Sequence, residues 1–153
     1  VRGVGDQLSN ACLDLSSCYL LLTCPPVQTD TAWAYAAYDE MADSPAKHAF
    51  HALTKNSFTL NLLLPNAEDS KKTIPWNLDN DLEAPVMLHF PELQDLKREI
   101  FSYGALASGM SGSGSSLYAI FDKTDLDLCK KARMLLEQKG HRVFINTMTF
   151  DED

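Results

Sequence analysis

The chain has 153 residues, with 45% apolar and 22% charged side chains, a globular composition long enough to bury one core. Thirteen basic against twenty-one acidic residues leave a net charge of −8. That argues against nonspecific nucleic-acid binding, which needs Lys and Arg to displace counterions, and the apolar runs, such as residues 19–22, are far too short to span a membrane.

Residues 1–16 read as a polar entry in which Gly3 and Gly5 turn the chain. Cys18-Tyr19-Leu20-Leu21-Leu22-Thr23 predicts a strand with no polar face, and so one buried on both sides. Pro25-Pro26 ends it, because proline cannot donate to a ladder. Thr29 or Asp30 can cap the helix that follows. In that helix Trp33, Ala37 and Met41 share one face, assigned to the core. Thr31, Tyr35 and Tyr38 share another, turned toward a cleft.

Pro45 breaks the pattern. A short helix through His48, Phe50, His51 and Leu53 follows, then a polar loop over residues 64–77. His48 and His51 have the spacing of a metal pair but no third ligand in sight, and read as surface histidines. Asn80, with Glu83 three residues on, has the pattern of a capping box, and Pro85 sits where a helix start is at the limit of tolerating it. Pro91 opens a helix over residues 91–103 with Leu93, Leu96 and Ile100 on one face, and Gly104 stops it. A last helix over residues 125–139 carries Leu128, Ala132 and Leu135 and ends at Gly140. Val143-Phe144-Ile145 alternates as a final strand. Asp122, Asp125 and Asp127 read as a solvated helix start and lack the spacing of a calcium loop. The four cysteines, Cys12, Cys18, Cys24 and Cys129, fit no zinc spacing and read as reduced thiols.

Between two apolar runs lies Gly109-Met110-Ser111-Gly112-Ser113-Gly114-Ser115-Ser116. A flexible linker would be flanked by polar sequence, and this stretch is not. It reads instead as a tight turn between strands whose backbone approaches something closely, as glycine permits. Successive N–H groups in such a turn can form a concavity for anions. No Gly-Lys-[Ser/Thr] ending makes it a P-loop, and a strand rather than a helix follows, so it is no dinucleotide fingerprint. Strand, helices, strand, strand, helix, strand is the order of a split β-α-β unit. It predicts a ferredoxin-like α+β domain with a mostly antiparallel sheet and helices on one face.

Asn80-Asp81-Leu82-Glu83, the helix to Gly104, Ala105-Leu106-Ala107-Ser108-Gly109 and the Met-Ser-Gly-Ser-Gly-Ser turn, in that order, resemble the C-terminal half of the GHMP kinases. Arg2-Gly3-Val4-Gly5-Asp6-Gln7-Leu8 and Thr23-Cys24-Pro25-Pro26-Val27-Gln28-Thr29-Asp30-Thr31-Ala32 are similar to the branch that acts on cytidine-diphosphate-linked methylerythritol in non-mevalonate isoprenoid synthesis. Pro25-Pro26 departs from that branch's Pro-Gly, which puts the turn geometry in question.

The resemblance implies phosphoryl transfer from ATP, with Mg²⁺, to the acceptor's 2-hydroxyl in the cytoplasm. Positioning and charge stabilisation dominate such a transfer. It implies that residues 1–153 are a C-terminal domain whose partner is its own N-terminal domain, as the start at Val1 inside a motif also suggests. That missing half would hold the ATP loop and the groups acting on the acceptor hydroxyl, so no residue here is assigned as catalytic. By resemblance, Ser111, Gly112, Ser113, Gly114 and Ser115 form the family's third motif, which either contacts phosphate or braces the ATP loop. Tyr35 is the aromatic of the cytidine pocket, with Val4 and Thr31 beside it. The alternative is a stand-alone ferredoxin-like module that binds a ligand or regulates, since that fold hosts many functions.

Overall fold

The computed structural model of the chain describes residues 16–41 and 80–147. Strand β1 is Cys18–Cys24 and helix α1 is Thr31–Glu40. Helices α2, Glu83–His89, and α3, Pro91–Ser102, meet end to end at Phe90. Strands β2, Ala107–Met110, and β3, Leu117–Asp122, flank the glycine-rich turn. A 3-10 turn at Lys123–Asp125 leads into helix α4, Leu126–Gln138, and β4 is Arg142–Thr147. The short helix expected through His48 and His51, the loop at residues 64–77 and the segment holding Val4 and Cys12 lie outside the described residues.

The sheet runs β2-β3-β1-β4, and every neighbouring pair is antiparallel. β3 therefore lies between β1 and β2, the split β-α-β arrangement expected of an α+β, ferredoxin-like domain. Local chemistry places the elements. Asp30 caps α1 by accepting from the Trp33 N–H at 2.7 Å. Pro91 opens α3, where its missing N–H costs nothing. Gly104 and Gly140 follow α3 and α4 at φ of 99° and 87°, a conformation that glycine adopts without penalty.

One face of the sheet presents Leu21, Leu117, Ala119, Phe121 and Val143 to Val86, Leu93, Ile100, Ala132 and Leu136 of the helices, and all are buried. The opposite face carries a smaller cluster around Cys18 and Ile120, and Phe144 on it is 56% exposed. This corrects the expectation for β1. Its residues alternate, with Leu21 and Thr23 buried and Leu20 and Leu22 only partly so, because the described helices pack on one face alone. Cys18, Cys24 and Cys129 are free thiols, and burial pushes the Cys129 thiol up to about 11.

The expected capping box at the start of α2 does not form. Leu82 occupies the N-cap and no side chain caps it. The Glu83 carboxylate turns inward, where it meets Lys97 Nζ at 2.5 Å and accepts from the Met110 N–H at 2.6 Å. Glu83 and Lys97 are each 6% exposed. A buried carboxylate is tolerable only when paired and hydrogen-bonded, and these two partners outcompete the local cap.

Removing one partner of a buried ion pair leaves an uncompensated charge, which costs about 3–5 kcal/mol. Lys97→Met should therefore lower the midpoint of urea unfolding sharply with little change in slope. Adding Glu83→Gln to it should recover part of the loss. An unchanged midpoint for Lys97→Met would show that the pair does not hold this corner together.

Candidate functional site

The glycine-rich turn is held from two sides. From below, Asn80 and Glu83 grip its approach. Asn80 Nδ2 donates to the Met110 carbonyl at 2.9 Å and to the Gly112 carbonyl at 2.7 Å, while Asn80 Oδ1 accepts from the Leu82 N–H at 3.1 Å. The Glu83 carboxylate takes the Met110 N–H, so both backbone polar groups of Met110 are held from the start of α2 and the turn before it. Ser108, also buried, donates its hydroxyl to the Lys97 carbonyl at 3.4 Å.

From the other side, the turn rests on the segment leading into α1. The Thr31 and Ser113 hydroxyls are 2.8 Å apart, and Ser115 Oγ donates to the Val27 carbonyl. Within the turn, the Ser111 N–H reaches the Ser116 carbonyl at 2.9 Å and the Gly114 N–H reaches the Ser111 carbonyl at 3.0 Å. Gly112 and Gly114 have φ of 57° and 80°. A Cβ on Gly114 would sit 2.7 Å from Met110 Sδ and 3.5 Å from Thr29 Oγ1, so this glycine is required by contact as well as by torsion. One strand residue earlier, a Cβ on Gly109 would lie 2.5 Å from the Tyr118 hydroxyl. That tyrosine lies across its cross-strand partner.

The backbone N–H groups of Gly112, Ser113 and Ser115 have no acceptor among the described residues. They lie beside the first turn of α1, whose N–H groups carry the positive end of the helix dipole. In that helix start the Asp30 carboxylate already takes the Trp33 N–H, so the donors left for an anion are those of the turn.

Next to the turn opens a cleft of about 680 Å³ lined by Tyr35 and Tyr38 of α1, Asn80 and Asp81, and Ser111 and Gly112. Asp39, Leu82, Met110 and Tyr118 complete its wall. Among the described residues the lining offers aromatic faces, amide groups and two carboxylates, and no Lys or Arg. Tyr35 is 57% exposed, so its ring face is available to a planar group.

The structure distributes the candidate residues over two neighbouring places. Tyr35, Ser111 and Gly112 line the cleft, whereas Thr31 bonds to Ser113 and Ser115 bonds to the β1–α1 segment. Val4 lies outside the described residues. Of the expected core face, Trp33 and Met41 pack against the core and Ala37 is only partly buried, while the fully buried residue of α1 is Ala34. Tyr38 reaches both the core and the cleft. Sequence reasoning missed Asn80, Glu83 and Lys97 as supports of the turn. A signal was present: Lys97 follows Leu96 inside the apolar stripe Leu93, Leu96, Ile100, and a cation in a buried stripe demands a counter-charge.

Residues 60–132 match the family model described as GHMP kinases C terminal. A 4-diphosphocytidyl-2-C-methyl-D-erythritol kinase from Nitratidesulfovibrio vulgaris is 32% identical over 142 residues, covering 92% of this chain and 45% of that protein. The chain thus spans about half the length of the curated relatives it matches. A crystal structure of 4-(cytidine 5'-diphospho)-2C-methyl-D-erythritol kinase superposes with a TM-score of 0.59 at 23% identity, over 95% of this chain and 47% of that one. Homoserine kinase from Cytophaga hutchinsonii does so with a TM-score of 0.56 at 19% identity, over 87% and 42%. At these identities the structural likeness speaks to the fold.

The two turn glycines should separate torsion from contact. Gly112 has open space where a Cβ would go, so Gly112→Ala meets only the left-handed penalty, about 1–2 kcal/mol. Gly114→Val adds a clash with the buried Met110 side chain, worth a further ~1–3 kcal/mol. Chemical denaturation of both variants should rank Gly114→Val clearly lower. Equal stabilities would mean that the Met110 contact gives way freely.

Proposed function

Because this chain carries a GHMP kinase C-terminal domain, we propose that it is the acceptor-binding half of an ATP-dependent kinase. Residues 1–153 would be that domain, docked on an N-terminal domain of the same polypeptide. The acceptor is 4-diphosphocytidyl-2-C-methyl-D-erythritol, phosphorylated on its 2-hydroxyl in cytoplasmic isoprenoid precursor synthesis. The names of the curated relatives support this choice. The observation that carries the reading is one juxtaposition: an aromatic cleft shares Ser111 and Gly112 with a turn whose Ser113 hydroxyl meets Thr31 at the start of α1.

That juxtaposition suits a cytidine diphosphate derivative. The base stacks on Tyr35, an interaction worth roughly 1–3 kcal/mol. The phosphate-bearing end lies toward the Ser111–Ser115 backbone and the start of α1, where N–H groups supply the positive potential that the cleft's side chains lack. Thr31 orients Ser113 through their hydroxyl contact. Val4 belongs to the same pocket in this reading.

ATP with Mg²⁺ is the phosphoryl donor. Among the described residues no three His, Cys, Asp or Glu side chains converge to hold a metal. Asp39 and Asp81 share the cleft but are assigned no metal, and the ion's ligands are placed in the other half. No described residue is assigned as general base. The chain's part is to bind and orient the acceptor and to hold the turn against the phosphates.

Two measurements test the proposal. The full-length protein with ATP and Mg²⁺ should yield the monophosphorylated acceptor by mass spectrometry, and the 153-residue chain alone should not. Binding of the acceptor without turnover by the full-length protein would favour a ligand-binding module instead. In the active protein, Tyr35→Ala should raise the acceptor KM about fivefold or more and leave the ATP KM nearly unchanged. Tyr35→Phe should be mild, because the ring face is kept. An acceptor KM indifferent to Tyr35→Ala overturns the pocket assignment.

A further inference from the structure

We infer that Asn80 is a positioning residue that sets the glycine-rich turn through its two amide hydrogens. Its effect on catalysis rests on the kinase reading above; its effect on the turn does not. The side chain divides its work by atom. Oδ1 accepts from the Leu82 N–H and shapes the turn before α2. Nδ2 uses both hydrogens on carbonyls 30 and 32 residues away, those of Met110 and Gly112.

The second of these bonds has a directional consequence. A trans peptide unit is planar, with C=O and N–H pointing opposite ways. Drawing the Gly112 carbonyl toward Asn80 therefore turns the Ser113 N–H away from it. That N–H has no acceptor among the described residues, and the Ser113 hydroxyl on the same residue meets Thr31 at the start of α1. Residue Met110 is pinned on both sides, with Asn80 on its carbonyl in one peptide plane and buried Glu83 on its N–H in the preceding one. Gly112 has no such second hold: φ is 57° and nothing lies within 4 Å of its Cβ position. Asn80 is then the one side chain among the described residues that fixes the Gly112–Ser113 peptide plane. Without it a glycine-rich turn can flip that plane and present a carbonyl where an anion needs a donor.

Asn80→Asp isolates this role. The two side chains have the same shape, and aspartate keeps the acceptor for the Leu82 N–H. It replaces both donors by an oxygen facing two carbonyl oxygens. A space-filling or turn-forming role would survive the change, and a donor role would not. In the full-length protein the variant should lower kcat by roughly ten- to a hundredfold, the effect of two lost hydrogen bonds, with the acceptor KM within about twofold. Asp39 and Asp81 line the same cleft, with Tyr35, Tyr38 and Tyr118, so neighbouring carboxylates favour the acid form of the introduced group. That acid form can donate one hydrogen bond. Activity relative to wild type should accordingly rise as pH falls toward 5.

Amide hydrogen exchange gives the readout that needs no enzyme activity. The Ser111 and Gly114 N–H groups, bonded inside the turn, should exchange at least roughly tenfold faster in Asn80→Asp, while the core strands keep their protection. Wild-type exchange at these two amides, or full activity in the variant, overturns the inference. If the unaltered full-length protein fails to phosphorylate the acceptor, the kinase reading falls, and the exchange comparison still decides the role of Asn80.

Discussion

The buried Glu83 carboxylate is the point on which the described structure depends. It sits where helix α2 begins, and a carboxylate there has an obvious local use in capping. It is instead committed to Lys97 on α3 and to the Met110 N–H at the end of β2. Three elements thus converge on one charge. Desolvating that charge is expensive, so any arrangement that lets one partner go leaves a worse state behind. The result is a corner with a single allowed geometry, and the glycine-rich turn starts one residue beyond it.

That rigidity is what a glycine-rich turn lacks by itself. Glycines let the backbone approach a ligand, but they also admit many conformations. Here the freedom is removed from outside. Asn80 takes two carbonyls, Glu83 takes an N–H, Ser115 is tied to Val27 and Ser113 to Thr31. What is left uncommitted is a short run of backbone donors beside the start of a helix. The net charge is −8 and the described cleft lining holds no cation, so an anion in this place would depend on those backbone donors. Backbone dipoles act at short range and do not depend on the overall charge.

The sheet explains why the turn and the aromatic cleft are neighbours. β3 inserts between β1 and β2, so the β2–β3 turn and the β1–α1 connection emerge at the same end. The segment after β1 lies against Ser115, and α1 carries Tyr35 and Tyr38 into the cleft from there. The aromatic cleft and the glycine-rich turn are therefore neighbours by one topological choice. Helices α2 and α3 cover a single face, which leaves the other face of β1 half-buried rather than enclosed.

Much of this was legible in the amino-acid order, where the information is local. The strands at Cys18–Cys24 and Leu117–Asp122, the helix ends at Gly104 and Gly140 and the cap at Asp30 follow from apolar period, backbone torsion and side-chain reach within a few residues. The element order is enough to name the α+β class. The demand for glycine at Gly114 was also readable, because a strand-to-strand turn needs a residue free to take positive φ. Other features were decided only when distant segments met. Asn80 and Glu83 have the spacing of a capping box, yet their side chains answer to Met110, Gly112 and Lys97. Tyr38 belongs by helical period with Tyr35, yet it also packs against the core. In each case a local hydrogen bond or face competed with a partner brought in by the sheet. Burial decided the contest, because an unpaired polar group inside the fold costs more than a cap contributes.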